Sequence, residues 1–257
     1  MNRFCVTIFA AGLIAGCGPK EEVAVTSAPA TESAPTAVLR RVDPATAGVV
    51  KGKVFFDGQV LEPKMVSVKG NPECAALHAG GMIASEELVS QNGLLQNAFV
   101  YVKQGLEGYS FQTPGTPVTI ENRLCTYAPH VSGAMVGQDI VFLNQDSTLH
   151  NIHSYPKNAK PFNLGLPLVG MKQVKRFDAA EVMVPLKCDV HPWMLGYIGV
   201  LPHPYFQATG ADGSFELKGL PPGDYVVEAW HEKLGVQEQN VTLAPNETKE
   251  ISFKFSS

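Results

Sequence analysis

The run CDVHPWM, residues 188–194, follows directly on EVMVPLK (181–187), which reads as a strand. On the loop it forms, Cys188, His191 and Met194 recur every three residues and offer a thiolate, an imidazole and a thioether. Three such donors do not complete a metal site. A trigonal plane of one Cys and two His with a weak axial Met needs a second His from elsewhere in the chain. TLHNIHSY (148–155) offers two, His150 and His153. Residues three apart on a strand point to opposite faces, so one of them is the ligand and the other is its context. A donor some 35 to 40 positions away becomes a spatial neighbour where distant strand ends lie side by side, as a β-sandwich arranges them. Taken singly, Cys188 reads as an inert buried thiol, Met194 as core filler and His191 as a surface residue. In this order the four read as one site.

The rest of the chain agrees with a sandwich. Short alternating or apolar runs bounded by Gly, Pro, Asn or Asp recur throughout, among them VVKGKVFF (49–56), NAFVYVK (97–103), QDIVFLNQ (138–145), DYVVEAW (224–230) and ETKEISFKF (247–255). Only residues 71–82 and the stretch around 156–170 look irregular or briefly helical. With 24 Gly and 19 Pro, long helices have little room, and the expected class is all-β, in two packed modules. Apolar residues at 45% exclude disorder of the whole chain. A formal charge of -4 without a basic block excludes nucleic acid as a partner.

The paired segments H-N-x-H at 150–153 and C-x-x-H-P-W-M at 188–194 resemble the cupredoxins, the blue copper proteins, and their amicyanin-type and plastocyanin-like members in particular. The resemblance covers roughly residues 105–205. It implies a Greek-key sandwich with one type 1 copper on His150, Cys188, His191 and axial Met194, and an electron carrier rather than an enzyme. It further implies that Asn151 braces the ligand loops and donates from its backbone towards the sulfur. The residues themselves suit that role: the donor set accommodates both copper oxidation states, and Met194 fills a position a substrate could take. Zinc would also accept the two His and the Cys, but a thioether argues for copper. Beside an edge-exposed His191, Pro192 and Trp193 read either as core or as an apolar docking patch for a redox protein partner. A departure from the small cupredoxins is the long addition on each side.

One addition has its own resemblance. DGSFELKGLPPGDY (212–225) is similar to the carboxypeptidase-regulatory-like or prealbumin-like sandwich, and to the second domain of rhamnogalacturonan lyases. The turn residues Asp212-Gly213 and Pro221-Pro222-Gly223 separate four strands there. GVVKGKVFFDGQ (48–59) is similar to the first strand and turn of the same module, so residues 47–104 read as N-terminal strands of the second, smaller sandwich. The copper region, 105–205, then stands as an insertion before residues 206–257. Competing functions are copper binding and delivery without electron transfer, and an accessory carbohydrate-binding role. For the latter no catalytic carboxylate or basic pair stands out, and His231-Glu232 reads as structural.

The start, MNRFCVTIFAAGLIAGC (1–17), combines Arg3, an apolar run and small residues before a cysteine, the pattern of an export signal. Its apolar run of about a dozen residues is short of the roughly 20 that span a bilayer. Ile14 to Cys17 resembles the bacterial lipobox, which implies cleavage after residue 16, lipid on Cys17, and a protein tethered at the cell envelope, facing the periplasm or the surface. Residues 17–46, rich in Pro, Ala, Ser and Thr, read as a lipidated flexible tether. With Cys5 and Cys17 so assigned, Cys74, Cys125 and Cys188 remain. The simplest partition pairs Cys74 with Cys125 in a disulfide; the alternative is a second metal site of Cys74, His78, Cys125 and His130.

Overall fold

The computed structural model describes residues 39–58 and 62–256. The export signal, Cys17 and the tether up to residue 38 lie outside the described residues. The first part of the chain lays down β1 (Gly48–Asp57), β2 (Met65–Ser67), the short helix α1 (Pro72–Leu77), β3 (Met82–Ala84), β4 (Ser90–Gln91), β5 (Leu94–Leu95) and β6 (Phe99–Gln104). The middle part follows with β7 (Val118–Arg123), β8 (Thr126–Ala128), β9 (Val131–Met135), β10 (Ile140–Asn144), β11 (His150–Ser154), β12 (Asn163–Leu166), β13 (Lys172–Lys175), β14 (Glu181–Lys187) and β15 (Leu195–Leu201). The last part adds β16 (Phe206–Ala208), β17 (Ser214–Leu220), β18 (Gly223–His231), β19 (Gly235–Leu243) and β20 (Thr248–Ser256). The protein is all-β apart from α1 and one 3-10 turn among the described residues.

The first and last parts of the described chain build one sandwich. β1 lies between β17, antiparallel, and β20, parallel, and the facing sheet runs β16-β6-β18-β19. Alternation explains the arrangement: Val50, Val54 and Phe56 of β1 point inward with Phe253 and Phe255 of β20, while Lys51 and Lys53 stay at the surface. Val100 and Val102 of β6 close that core from the other side with Tyr225, Val227 and Ala229.

The middle part makes the second sandwich, with sheets β13-β10-β7-β8 and β12-β11-β14-β15-β9 around Ile120, Phe142, Ile152, Phe177, Leu186 and Ile198. Its last two sheet neighbours, β15 and β9, are parallel. A third cluster, Phe99, Tyr101, Val131, Met183 and Leu201, joins the two sandwiches. The segment carrying β2, α1 and β3 crosses the outside of the second sandwich, where Cys74 of α1 is bonded to Cys125 of the β7–β8 turn.

The tether ends earlier than its composition suggests. Arg40 donates its backbone N–H to Gly108 O and accepts from Ser110 N, and its guanidinium lies 4.5 Å from the centre of the Tyr109 ring. A bridge plus a cation over an aromatic face holds these residues without any apolar periodicity.

Two buried histidines make the fold acid-sensitive. His203 and His231 each accept a backbone N–H at Nδ1, from Tyr205 and Lys233, an arrangement that needs the neutral ring. Burial pushes both down to about 4, and for His231 the neighbouring His130 adds to this. Because the unfolded rings take up protons from about pH 6.5 downward and the folded ones do not, stability is complete above that pH and falls between about 6.5 and 4. Unfolding free energies from urea titrations at pH 7 and pH 4.5 should differ by about 2 kcal/mol per histidine, and His203→Gln should remove its share of the difference. A midpoint that does not move between the two pH values would count against this.

Candidate metal centre

Strand pairing brings the two distant motifs together. β11 and β14 run antiparallel with His153 opposite Lys187, so His150 at the head of β11 arrives beside the loop that follows β14. That loop is folded back on itself: Met194 N donates to His191 O at 2.9 Å, and Cys188 N to Met194 O at 3.3 Å. Cys188, His191 and Met194 are thereby fixed by backbone bonds at the junction of two strands, a firmer seat than a free loop.

The donor atoms of His150, Cys188 and His191 all lie within 4.8 Å of one another, and the three side chains are buried. The two Nδ1 atoms are 3.0 Å apart, and His191 Nδ1 is 3.7 Å from Cys188 Sγ. Met194, also buried, packs in the same core cluster as Cys188. His153 goes elsewhere. Its ring sits at the surface against Asp189 Oδ1 at 3.1 Å and the Tyr155 hydroxyl.

The surroundings favour a cation. Burial alone would push the Cys188 thiol up, but hydrogen bonds with His150 and His191 and the backbone N–H groups of Asn151 and His191 bring it down to about 6. A thiolate at neutral pH is the form that binds metal. For His150, burial opposes charge, yet Asp146 and the Cys188 sulfur outweigh it and raise the ring above its ordinary value. A metal ion would compete with the proton for the same Nδ1 lone pair. Asp146 Oδ2, 2.9 Å from His150 Nε2, holds the other ring nitrogen as the donor and so aims Nδ1 at the thiolate.

Asn151 ties the two motifs. Its Oδ1 accepts from Asp189 N at 2.7 Å and lies 3.2 Å from Cys188 Sγ, and its Nδ2 donates to Asn163 Oδ1 and Asp189 Oδ2. The Tyr127 hydroxyl holds its carbonyl at 2.6 Å.

One expectation is overturned. His191 is not at an exposed edge: its relative exposure is 0%, and its Nε2 lies 2.9 Å from Asn71 Nδ2 and 3.7 Å from Cys74 Sγ. The segment around α1 covers it, because Asn71 caps that helix by accepting from Cys74 N and the Cys74–Cys125 bond pins the helix down. Of the proposed patch, Pro192 is exposed, whereas Trp193 is half-buried on the His191 ring, 5.1 Å between centres, and donates Nε1 to Cys125 O. Both line a cavity of about 260 Å³ with Val66, Ile83 and His130.

The alternative four-residue site is not assembled. Cys74 and Cys125 are bonded to each other, His78 Nε2 contacts Leu124 O, and His130 pairs with Glu232. Glu232, read as structural, is the buried partner in that hydrogen bond. Residues missed in the sequence are Asp146 and Asn71; the first stands four positions before His150, a spacing that in a loop carries no signal of its own.

No protein-family model matches the chain, and no curated protein does. Among solved structures, the chain is similar to a copper-containing nitrite reductase from Thermus scotoductus, 24% identical over 33% of this chain and 22% of that one, with a TM-score of 0.31. It is similar to a purple cupredoxin from Nitrosopumilus maritimus at 27% identity, covering 32% of this chain and 98% of that one, with a TM-score of 0.28. An oxidized amicyanin variant is 15% identical over 35% of this chain and 88% of its own, with a TM-score of 0.31.

Proposed function

We propose that the protein binds one type 1 copper on His150, Cys188, His191 and Met194 and carries single electrons. The observation that supports this is the convergence of two imidazole Nδ1 atoms and one depressed-pKa thiol in a buried pocket, with a thioether on the same loop. Copper held there supplies a one-electron couple. The chain supplies the rest: Asp146 fixes the His150 ring, Asn151 joins the two ligand segments, and burial keeps water from the donors. A rigid donor set changes little between oxidation states, which suits a carrier.

On the same reading, lipid on Cys17 holds the protein at the cell envelope. Electrons pass to a redox protein at the face where Trp193, resting on His191, meets the surface beside Pro192. The tests begin with colour. The Cu(II)-loaded protein should show an intense visible sulfur-to-copper band that a reductant bleaches reversibly, and Cys188→Ser should abolish it. A colourless wild-type protein, or weak colour indifferent to Cys188, overturns the proposal.

A further inference from the structure

We infer that the Cys74–Cys125 disulfide masks a second metal-binding set, which takes Cu(I) once the disulfide is reduced. The inference rests on the copper reading above only for which nitrogens face the inner centre. Each imidazole there has two nitrogens, and while both Nδ1 atoms turn inward, both Nε2 atoms turn towards the disulfide side. His191 Nε2 is 3.7 Å from Cys74 Sγ. On the other side, Cys125 Sγ, a carboxylate oxygen of Asp146 and a ring nitrogen of His150 lie within 4.8 Å of one another, all buried. His150 Nε2 is the nitrogen that faces Asp146, at 2.9 Å.

A disulfide sulfur is a poor ligand; the thiolate is the ligand. Both cysteines are fully buried, so α1 has to lift before a protein dithiol of the Cys-x-x-Cys class can reach the bond and supply what is missing. The dithiol gives two electrons and two protons, the Cys74–Cys125 bond breaks, two S–H bonds form, and the donor closes its own disulfide. Cu(I) then displaces the thiol protons, since two soft thiolates suit a soft monovalent ion. His150 can serve as a third donor through Nε2 once its proton has moved to Nδ1 and Nε2 has let go of Asp146, because a neutral imidazole has one available lone pair. The outer and inner sets are therefore alternative seats for an ion around one shared ring. With the disulfide closed, α1 covers His191; with it open, the same helix carries a ligand. The histidines of this second set are thus His150 and His191, not the His78 and His130 that spacing suggests.

The test uses the full chain with Cys188→Ser, which disables the inner centre, so that the outer set is read alone. Affinity for Cu(I) is measured by competition with a chromogenic Cu(I) chelator before and after reduction by a phosphine, with alkylation counting the free thiols. Reduction should tighten Cu(I) binding on the order of 100-fold, and a further His191→Ala, which leaves the disulfide in place but removes the ring beside Cys74, should cut the gain. Cys74→Ser in the same background leaves Cys125 free without any reductant and should bind Cu(I) in untreated protein, a result that does not depend on surviving reduction. If reduced protein with both thiols alkylatable binds no tighter than oxidised protein, or if His191→Ala leaves the gain intact, the inference is overturned. Failure of the electron-carrier reading shows separately, as absence of the visible band in protein that retains Cys188.

Discussion

Asp146→Ala should lower stability by about 4 kcal/mol and loosen the hold on His150. Asp146 is 6% exposed, and its two oxygens serve three donors: Oδ1 takes Leu124 N at 2.8 Å, while Oδ2 takes Cys125 N at 2.8 Å and His150 Nε2 at 2.9 Å. Burial alone would raise this carboxyl, yet those three donors hold it below the usual carboxylate range. Leu124 and Cys125 both have φ of 52°, the left-handed region that non-glycine residues enter at a cost. The carboxylate is what binds the N–H groups of that turn and holds it in place. Alanine would leave three donors without an acceptor, the two buried ones, Cys125 N and His150 Nε2, each worth about 1–3 kcal/mol, and would free the turn that carries Cys125. Urea unfolding should show a lower midpoint with an unchanged slope, and the copper-loaded variant should lose its metal to a chelator faster than wild type. Asp146→Asn, which keeps the shape and one acceptor, should fall between the two. A loss under 1 kcal/mol in the alanine variant would show that the turn and His150 are held by something else.

What could be read from the sequence divides along physical lines. The ligand loop was legible because its information is local: three donor types at fixed spacing after a strand, and a second motif whose two histidines a strand must place on opposite faces. The structure puts His150 inside and His153 outside. The two C-terminal turns were legible because Gly and Pro mark them, but they are not hairpins: the strands on either side of each turn lie in different sheets, which β1 and β6 complete. The burial of His191 was not legible. Asn71 and Cys74 stand 120 and 117 positions before it, in a stretch without periodicity, and nothing at either place announces the other. β9, VSGAM, was missed for another reason. It has Gly133 at its centre and no run of bulky residues, so neither alternation nor β-propensity marks it as a strand. Its small residues are explained by what lies on top of them.

That packing predicts the second large effect, in Phe99→Ala. Gly133 of β9 and Gly199 of β15 are directly paired, forming a flat floor two strands wide. A Cβ on Gly199 would stand 2.5 Å from the Phe99 ring, and one on Gly133 would stand 2.5 Å from Phe206 and 2.8 Å from Phe99. The two rings, stacked with centres 5.7 Å apart, therefore lie on bare backbone, and Phe99 is 0% exposed. Phe99 belongs to β6 of the terminal sandwich, whereas its floor belongs to the sandwich that carries the proposed metal ligands. Truncating it should cost about 3–5 kcal/mol, because the cavity cannot be refilled by side chains the glycines lack. Gly199→Val approaches the same joint from below and should cost at least about 1–3 kcal/mol through overpacking. More telling than the size is the form of the transition. Where the two sandwiches share this core they should unfold together, and with Phe99→Ala the visible copper band and far-UV circular dichroism should part into separate transitions in urea. If the two signals still coincide in the variant, the joint is not what couples the sandwich with the proposed metal ligands to the sandwich built from the first and last described strands.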